Sequence, residues 1–219
     1  MKYKAILFDL DGTTLNTLPD LWHSANHALK ELGFPERSFD EVRRFVGNGV
    51  GMLMRRALPH GVSDFVWEES VRLQKSYYNS HLAVDTVPYV GVIPMLQTLK
   101  KEGYMLGTVS NKYDEAVQAL MDLYFPHLFD AALGSKEGVP LKPDRSMVDC
   151  LLEQFHIRDA ETIYVGDSEV DYQTALNSNT LPILVDWGFR PRAQLEVTGA
   201  ENIVSSITEL YDTIRLYEK

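Results

Sequence analysis

Four short segments of this 219-residue chain concentrate side chains able to do chemistry: Asp9-Leu10-Asp11-Gly12-Thr13, Ser110-Asn111, Lys142-Pro143 and Gly166-Asp167-Ser168-Glu169-Val170-Asp171. Between them they offer carboxylates, a hydroxyl, an amide and an ammonium. Brought to one place, Asp9, Asp11, Asp167 and Asp171 would repel, so a cation must accompany them. An all-oxygen set with neither Cys nor His nearby suits Mg²⁺ better than Zn²⁺. With about +2 from the metal and +1 from Lys142, four carboxylates come to about −1. A hard cation, Ser110, Lys142 and the backbone around Gly12 and Thr13 would then hold a phosphate dianion. Phosphoryl transfer further needs an in-line nucleophile and a proton donor for the leaving oxygen. Two carboxyls two residues apart can supply both, one attacking phosphorus and the other acting as acid and then base.

The elements around these segments explain how they could meet. Short apolar runs at 4–10, 104–110, 129–133, 162–167 and 181–186 lack polar alternation and predict strands buried on both faces. Segments with helical spacing separate them, such as Val92, Met95, Leu96 and Leu99, or Val148, Leu151, Leu152 and Phe155. That alternation predicts an α/β fold with a doubly wound parallel sheet, a Rossmann-like core. In such sheets ligands bind at the carboxyl ends of the strands, where the four segments fall. Residues 16–86 offer only helical patterns, with nothing resembling a strand. The chain therefore divides into a catalytic core, 1–15 and 87–219, and a small all-helical cap, 16–86, inserted after the first strand.

Composition narrows the partners. With 21 Lys+Arg against 31 Asp+Glu the net charge is −10, which argues against a nucleic-acid reader. No run approaches the ~20 apolar residues of a membrane span, and the apolar stretch after Met1 is too short for a secretion leader. The expectation is a cytoplasmic monomer or homodimer that acts on a small-molecule phosphate ester. A lone cysteine, Cys150, fits a reducing compartment and reads as a small apolar filler on a helix.

The four ordered segments together resemble the motifs of the haloacid dehalogenase superfamily of phosphotransferases, and the resemblance spans the whole core. It implies Asp9 as nucleophile and Asp11 as general acid and base. Ser110, Asn111 and Lys142 would bind the phosphoryl group with Gly12 and Thr13. Mg²⁺ would be held by Asp9, the Asp11 carbonyl and Asp167, with Asp171 in support. Dehalogenase and phosphonatase members lack the carboxyl at the Asp11 position, so Asp11 argues against both.

Within the cap, Gly47, Asn48 and Gly49 resemble the substrate-facing loop of phosphoglycolate phosphatases, as does Trp187-Gly188-Phe189. The implied activity is hydrolysis of a small phosphate monoester, with 2-phosphoglycolate as the leading substrate. A phosphosugar mutase of the β-phosphoglucomutase type would share every core residue. A phospho-accepting receiver module is a different reading, but its ~120-residue single domain disagrees with this length. One departure from the family is Asn16, where an Asp is frequent.

Other residues carry weaker signals. The histidines show no metal-like clustering, and Arg55, Arg56, Arg190 and Arg192 read as solvated surface charges. Trp22 and Trp67 read as packing residues. Asn179, where Gly is common, should take the left-handed conformation that ends a helix.

Overall fold

A computed structural model of the protein describes residues 2–217. Its first strand, β1 (Ala5–Phe8), is wholly buried, as a continuous apolar run in a parallel sheet should be. A short strand β2 (Leu15–Asn16) follows, then four helices: α1 (Leu18–Glu31), α2 (Phe39–Phe45), α3 (Gly49–Ala57) and α4 (Asp64–Ser80). The chain returns through β3 (Val87–Pro88), which pairs antiparallel with β2. Two short strands thus mark the crossings on either side of the helices, where the sequence predicts none.

The remaining elements alternate. They are α5 (Val92–Lys101), β4 (Met105–Tyr113), α6 (Asp114–Tyr124), β5 (Ala131–Ser135), α7 (Ser146–Phe155), β6 (Thr162–Gly166), α8 (Glu169–Asn177), β7 (Leu181–Val185), α9 (Arg192–Glu196), β8 (Ile203–Val204) and α10 (Ile207–Leu216). Six strands form one parallel sheet in the order β5-β4-β1-β6-β7-β8. The chain winds outward from β1 to one edge, then returns to its other side at β6. The crevice for a ligand opens at that reversal, with β1 at its centre.

Alternate residues of the strands feed two cores. Ile6, Phe8, Leu106 and Ile163 pack with α5, α6 and α10, whereas Ala5, Leu7, Val109 and Tyr164 pack with α7. A third core lies among α1–α4 and takes in Tyr113, Ala116 and Phe189 of the sheet domain. The helical block therefore rests on apolar residues beside the strand ends. Local signals set several helix ends: Ser38 and Ser168 each form a capping box, with Glu41 and Asp171. Asn179 adopts φ 53°, the left-handed stop expected of it.

Three expectations need correction. β4 runs to Tyr113, beyond the predicted run 104–110, so Asn111 and Lys112 lie within it as well as Ser110; its pairing with β5 slips in register between Val109 and Tyr113. Cys150 is exposed on α7 and fills no core. Arg190 is buried, for reasons given below. Among the described residues, no helix is long and apolar enough to cross a membrane.

Candidate active site

Asp9 leaves the end of β1 with its carboxylate 2.9 Å from the ammonium of Lys142. The same ammonium lies 2.8 Å from Asp171, on the first turn of α8. Asp171 is fixed there by its capping box, accepting from the amide of Ser168 at 3.1 Å and from its hydroxyl at 2.6 Å. Asp167, just past β6, accepts the amide of Phe189 at 2.6 Å. Oxygens of Asp9, Asp167 and Asp171 lie within 4.8 Å of one another, and all three residues are buried. No other group of acids, His and Cys with this geometry occurs among the described residues.

Glycine makes the approach possible. A Cβ on Gly12, at φ +88°, would collide with the Asp167 carboxylate, and one on Gly166 would collide with Asp171.

Electrostatics is severe in this cluster. Burial lifts Asp9 to about 7, with Asp171 and Asp11 adding to the rise and Lys142 opposing it. Burial likewise raises Asp167 well above the carboxylate range, reinforced by Asp171 and Asp9 and opposed by the Phe189 amide and Arg190. Burial works against the charge on Lys142, yet Asp171 and Asp9 outweigh it and hold the ammonium charged. Three carboxylates against one ammonium leave an excess of negative charge on hard oxygen donors. That donor set fits a hard divalent cation.

Asp11 stands apart from the trio. Its carboxylate accepts from Thr17 at 2.6 Å and pairs with Lys112 at 3.0 Å. It thereby faces the cavity bounded by the helices, which is also lined by Asp9, Ser110, Asn111, Lys142 and Asp167. Gly47 and Gly49 reach the same cavity from the helical block, whereas the Asn48 side chain accepts from Arg56 at 2.8 Å.

Three of the expected phosphate contacts look different in the fold. The Gly12 amide donates to the Leu15 carbonyl at 2.8 Å and the Thr13 amide to Leu10 at 3.4 Å, closing the turn after β1. The Asn111 side chain accepts from the Lys142 amide at 2.8 Å and donates to the Gly47 and Lys142 carbonyls, each at 3.1 Å. It fixes Lys142 and the Gly47 loop, and both of its N–H donors are spent there, leaving none for a phosphoryl oxygen. Ser110 is buried in the cavity wall, its oxygen accepting the Lys112 amide at 3.2 Å with its proton still to donate.

A family model for haloacid dehalogenase-like hydrolases matches residues 6–185. The chain belongs to this family. Among the curated members it resembles is phosphoglycolate phosphatase from Pasteurella multocida, 32% identical over 196 residues, 86% of this chain and 88% of that one. A solved structure from Lactobacillus delbrueckii subsp. bulgaricus superposes with a TM-score of 0.92 at 33% identity, covering 98% of this chain and 99% of the other. A predicted phosphoglycolate phosphatase from Haemophilus somnus gives 0.90 at 27% identity, covering 100% and 99%.

Two residues of this family member escape the motif pattern. Lys112 is 3% exposed at its side chain and bonded to Asp11, although it lies two residues past the apolar run 104–110. Arg190 donates to the carbonyls of Val46 at 2.7 Å and Arg43 at 3.1 Å, and its Nε lies 3.1 Å from Glu169. The expectation of a solvated Arg190 fails because the C-terminal end of α2 presents two carbonyls to it. Arg56 too is drawn inward, donating to Phe45 at 2.7 Å, while Arg55 lies over the Trp67 ring.

Proposed function

We propose that this chain is a Mg²⁺-dependent phosphatase that hydrolyses 2-phosphoglycolate through a phosphoaspartate on Asp9. Family membership and relatives named phosphoglycolate phosphatase over most of the chain support the activity class, and the same relatives support the choice of substrate. The observation that carries the chemistry is the setting of Asp9: buried among like charges, 2.9 Å from Lys142, at the floor of a cavity shared with Asp11 and Ser110.

Asp9 Oδ attacks phosphorus opposite the ester oxygen, forming an acyl phosphate as the bond to the leaving oxygen breaks. Asp11 gives its proton to that oxygen, releasing the alcohol. A water then attacks phosphorus and Asp11 takes its proton back, so that Asp9 leaves as a free carboxylate and inorganic phosphate departs. Lys142 and Ser110 hold the non-bridging oxygens through both steps. Asp9, Asp167 and the Asp11 carbonyl would hold Mg²⁺, which when bound neutralises charge on the phosphoryl oxygens. Asp171 steadies Lys142, and Asn111 fixes the backbone from which Lys142 projects.

The four helices act as the cap. Their cavity with the core measures about 50 Å³, room for roughly three or four waters. A short leaving group suits that space better than a hexose, which favours the phosphatase over the mutase.

A panel of phosphate monoesters, with Mg²⁺ and with chelator, tests the reading. The expected result is metal-dependent phosphate release with the highest kcat/KM on 2-phosphoglycolate. Isomerised hexose phosphate without free phosphate would replace it with the mutase.

A further inference from the structure

Lys112 is the buried charge that this mechanism leaves unused. Its ammonium lies 3.0 Å from Asp11 Oδ1 and 4.5 Å from the centroid of the Tyr78 ring on α4. Burial works against the charge, but Asp11 and then Tyr78 outweigh it, and Lys112 stays protonated. An ammonium carries three donors, and one carboxylate oxygen does not exhaust them.

The opposite wall of the same cavity belongs to the helices. Tyr78 and Gln74 line it beside Leu21, Val50 and Leu53. Tyr78 is fully buried, and its hydroxyl has the Lys112 ammonium as its one polar neighbour, with its own proton still to donate; the Oε1 of buried Gln74 is unmet, its Nε2 being spent on Ser24. Polar atoms rarely stay unpaired inside a mostly apolar chamber unless a ligand or water meets them.

Resting on the phosphatase reading, we propose that Lys112, with the Tyr78 hydroxyl, selects substrates by binding a carboxylate on the leaving group. The distance argument is direct. Lys112 is tied to the same carboxyl that must protonate the leaving oxygen, so anything it binds lies within a few ångströms of that oxygen. The phosphate ester of an α-hydroxy acid puts its carboxylate one carbon away. A neutral leaving group gives Lys112 nothing beyond Asp11, and a long one meets Leu21 and Leu53. Gln74 Oε1, an acceptor, suits a bridging water at the rim of that carboxylate.

The test uses binding, so that damage to proton transfer cannot imitate the effect. With Mg²⁺ present, calorimetry compares 3-phosphonopropionate with its uncharged isostere 3-phosphonopropionamide. Wild type is expected to prefer the acid by about tenfold or more, as a charge-assisted contact should. In Lys112→Met the preference should fall to within about threefold, and in Tyr78→Phe it should shrink. Full preference in Lys112→Met overturns the proposal. Should that variant not fold or bind neither ligand, Lys112→Arg and Tyr78→Phe decide: loss of preference in the first, or an unchanged preference in the second, overturns it. Absence of any phosphatase activity in wild type would instead sink the underlying reading, whereas an active wild type that binds acid and amide alike sinks only the assignment of Lys112.

Discussion

The buried carboxylate of Asp20, near the start of α1, takes the amide of Thr86 at 2.9 Å and its hydroxyl at 2.6 Å. It also takes the Asp85 amide at 3.0 Å. The outgoing and returning connections of the helical block are thus cross-tied beside the β2–β3 pair. Asp20→Ala strands two amides and a hydroxyl, and should cost about 2–4 kcal/mol. Thr86→Val removes one bond and should cost about 1 kcal/mol. Urea unfolding measures both, and an unchanged midpoint for Asp20→Ala would show that the tie contributes nothing.

Asp9→Asn should lower kcat by roughly 10³-fold or more, because an amide cannot form the acyl phosphate. The fold should survive. The substitution removes one of three crowded carboxylates while Lys142 keeps Asp171 at 2.8 Å. Its melting temperature in chelator should equal or exceed that of wild type. Turnover near the wild-type rate would end the nucleophile assignment.

Metal binding should appear as stability. A cation that binds only the folded chain adds about 2.7 kcal/mol at a hundredfold excess over its dissociation constant. Thermal unfolding with and without Mg²⁺ should therefore show a rise in wild type that is lost in Asp167→Asn. The amide can keep an acceptor for Phe189 while it removes the charge and turns the other oxygen into an NH₂ donor. An equal rise in both proteins would place the cation elsewhere.

How much of this was legible in the sequence depends on the range of each interaction. The strand β1 was, since Ala-Ile-Leu-Phe is apolar on both faces, and so was the capping box of Ser168 and Asp171, three residues apart. The four acidic positions could be read because strand ends converge in a parallel sheet. Lys112 could not, because its partners Asp11 and Tyr78 stand 101 and 34 positions away and nothing local marks it as buried. Nor could the role of Asn111, whose residue type suits a ligand as well as it suits the Lys142 backbone. Ser110, Asn111 and Lys112 all line the cavity where the β4–β5 register slips, and a polar run at a strand end does not announce such a slip.

Arg190 gives the most direct test of how the cap is held. It comes from the loop after β7, and its guanidinium, 6% exposed, donates to carbonyls of residues 43 and 46 at the end of α2. Asn111 adds a second hold by donating to the Gly47 carbonyl. Both contacts cross from core to cap within the segment that carries Gly47, so the cap cannot swing away without breaking them. Arg190→Met should therefore accelerate proteolysis at the two connections and lower kcat/KM by about tenfold, chiefly through KM, because closure is weakened while the reacting groups stay in place. Arg190→Lys can reach one carbonyl but not both, and should fall between the two. If the Lys variant matched wild type in both measurements, the two-carbonyl grip would not be what holds the cap.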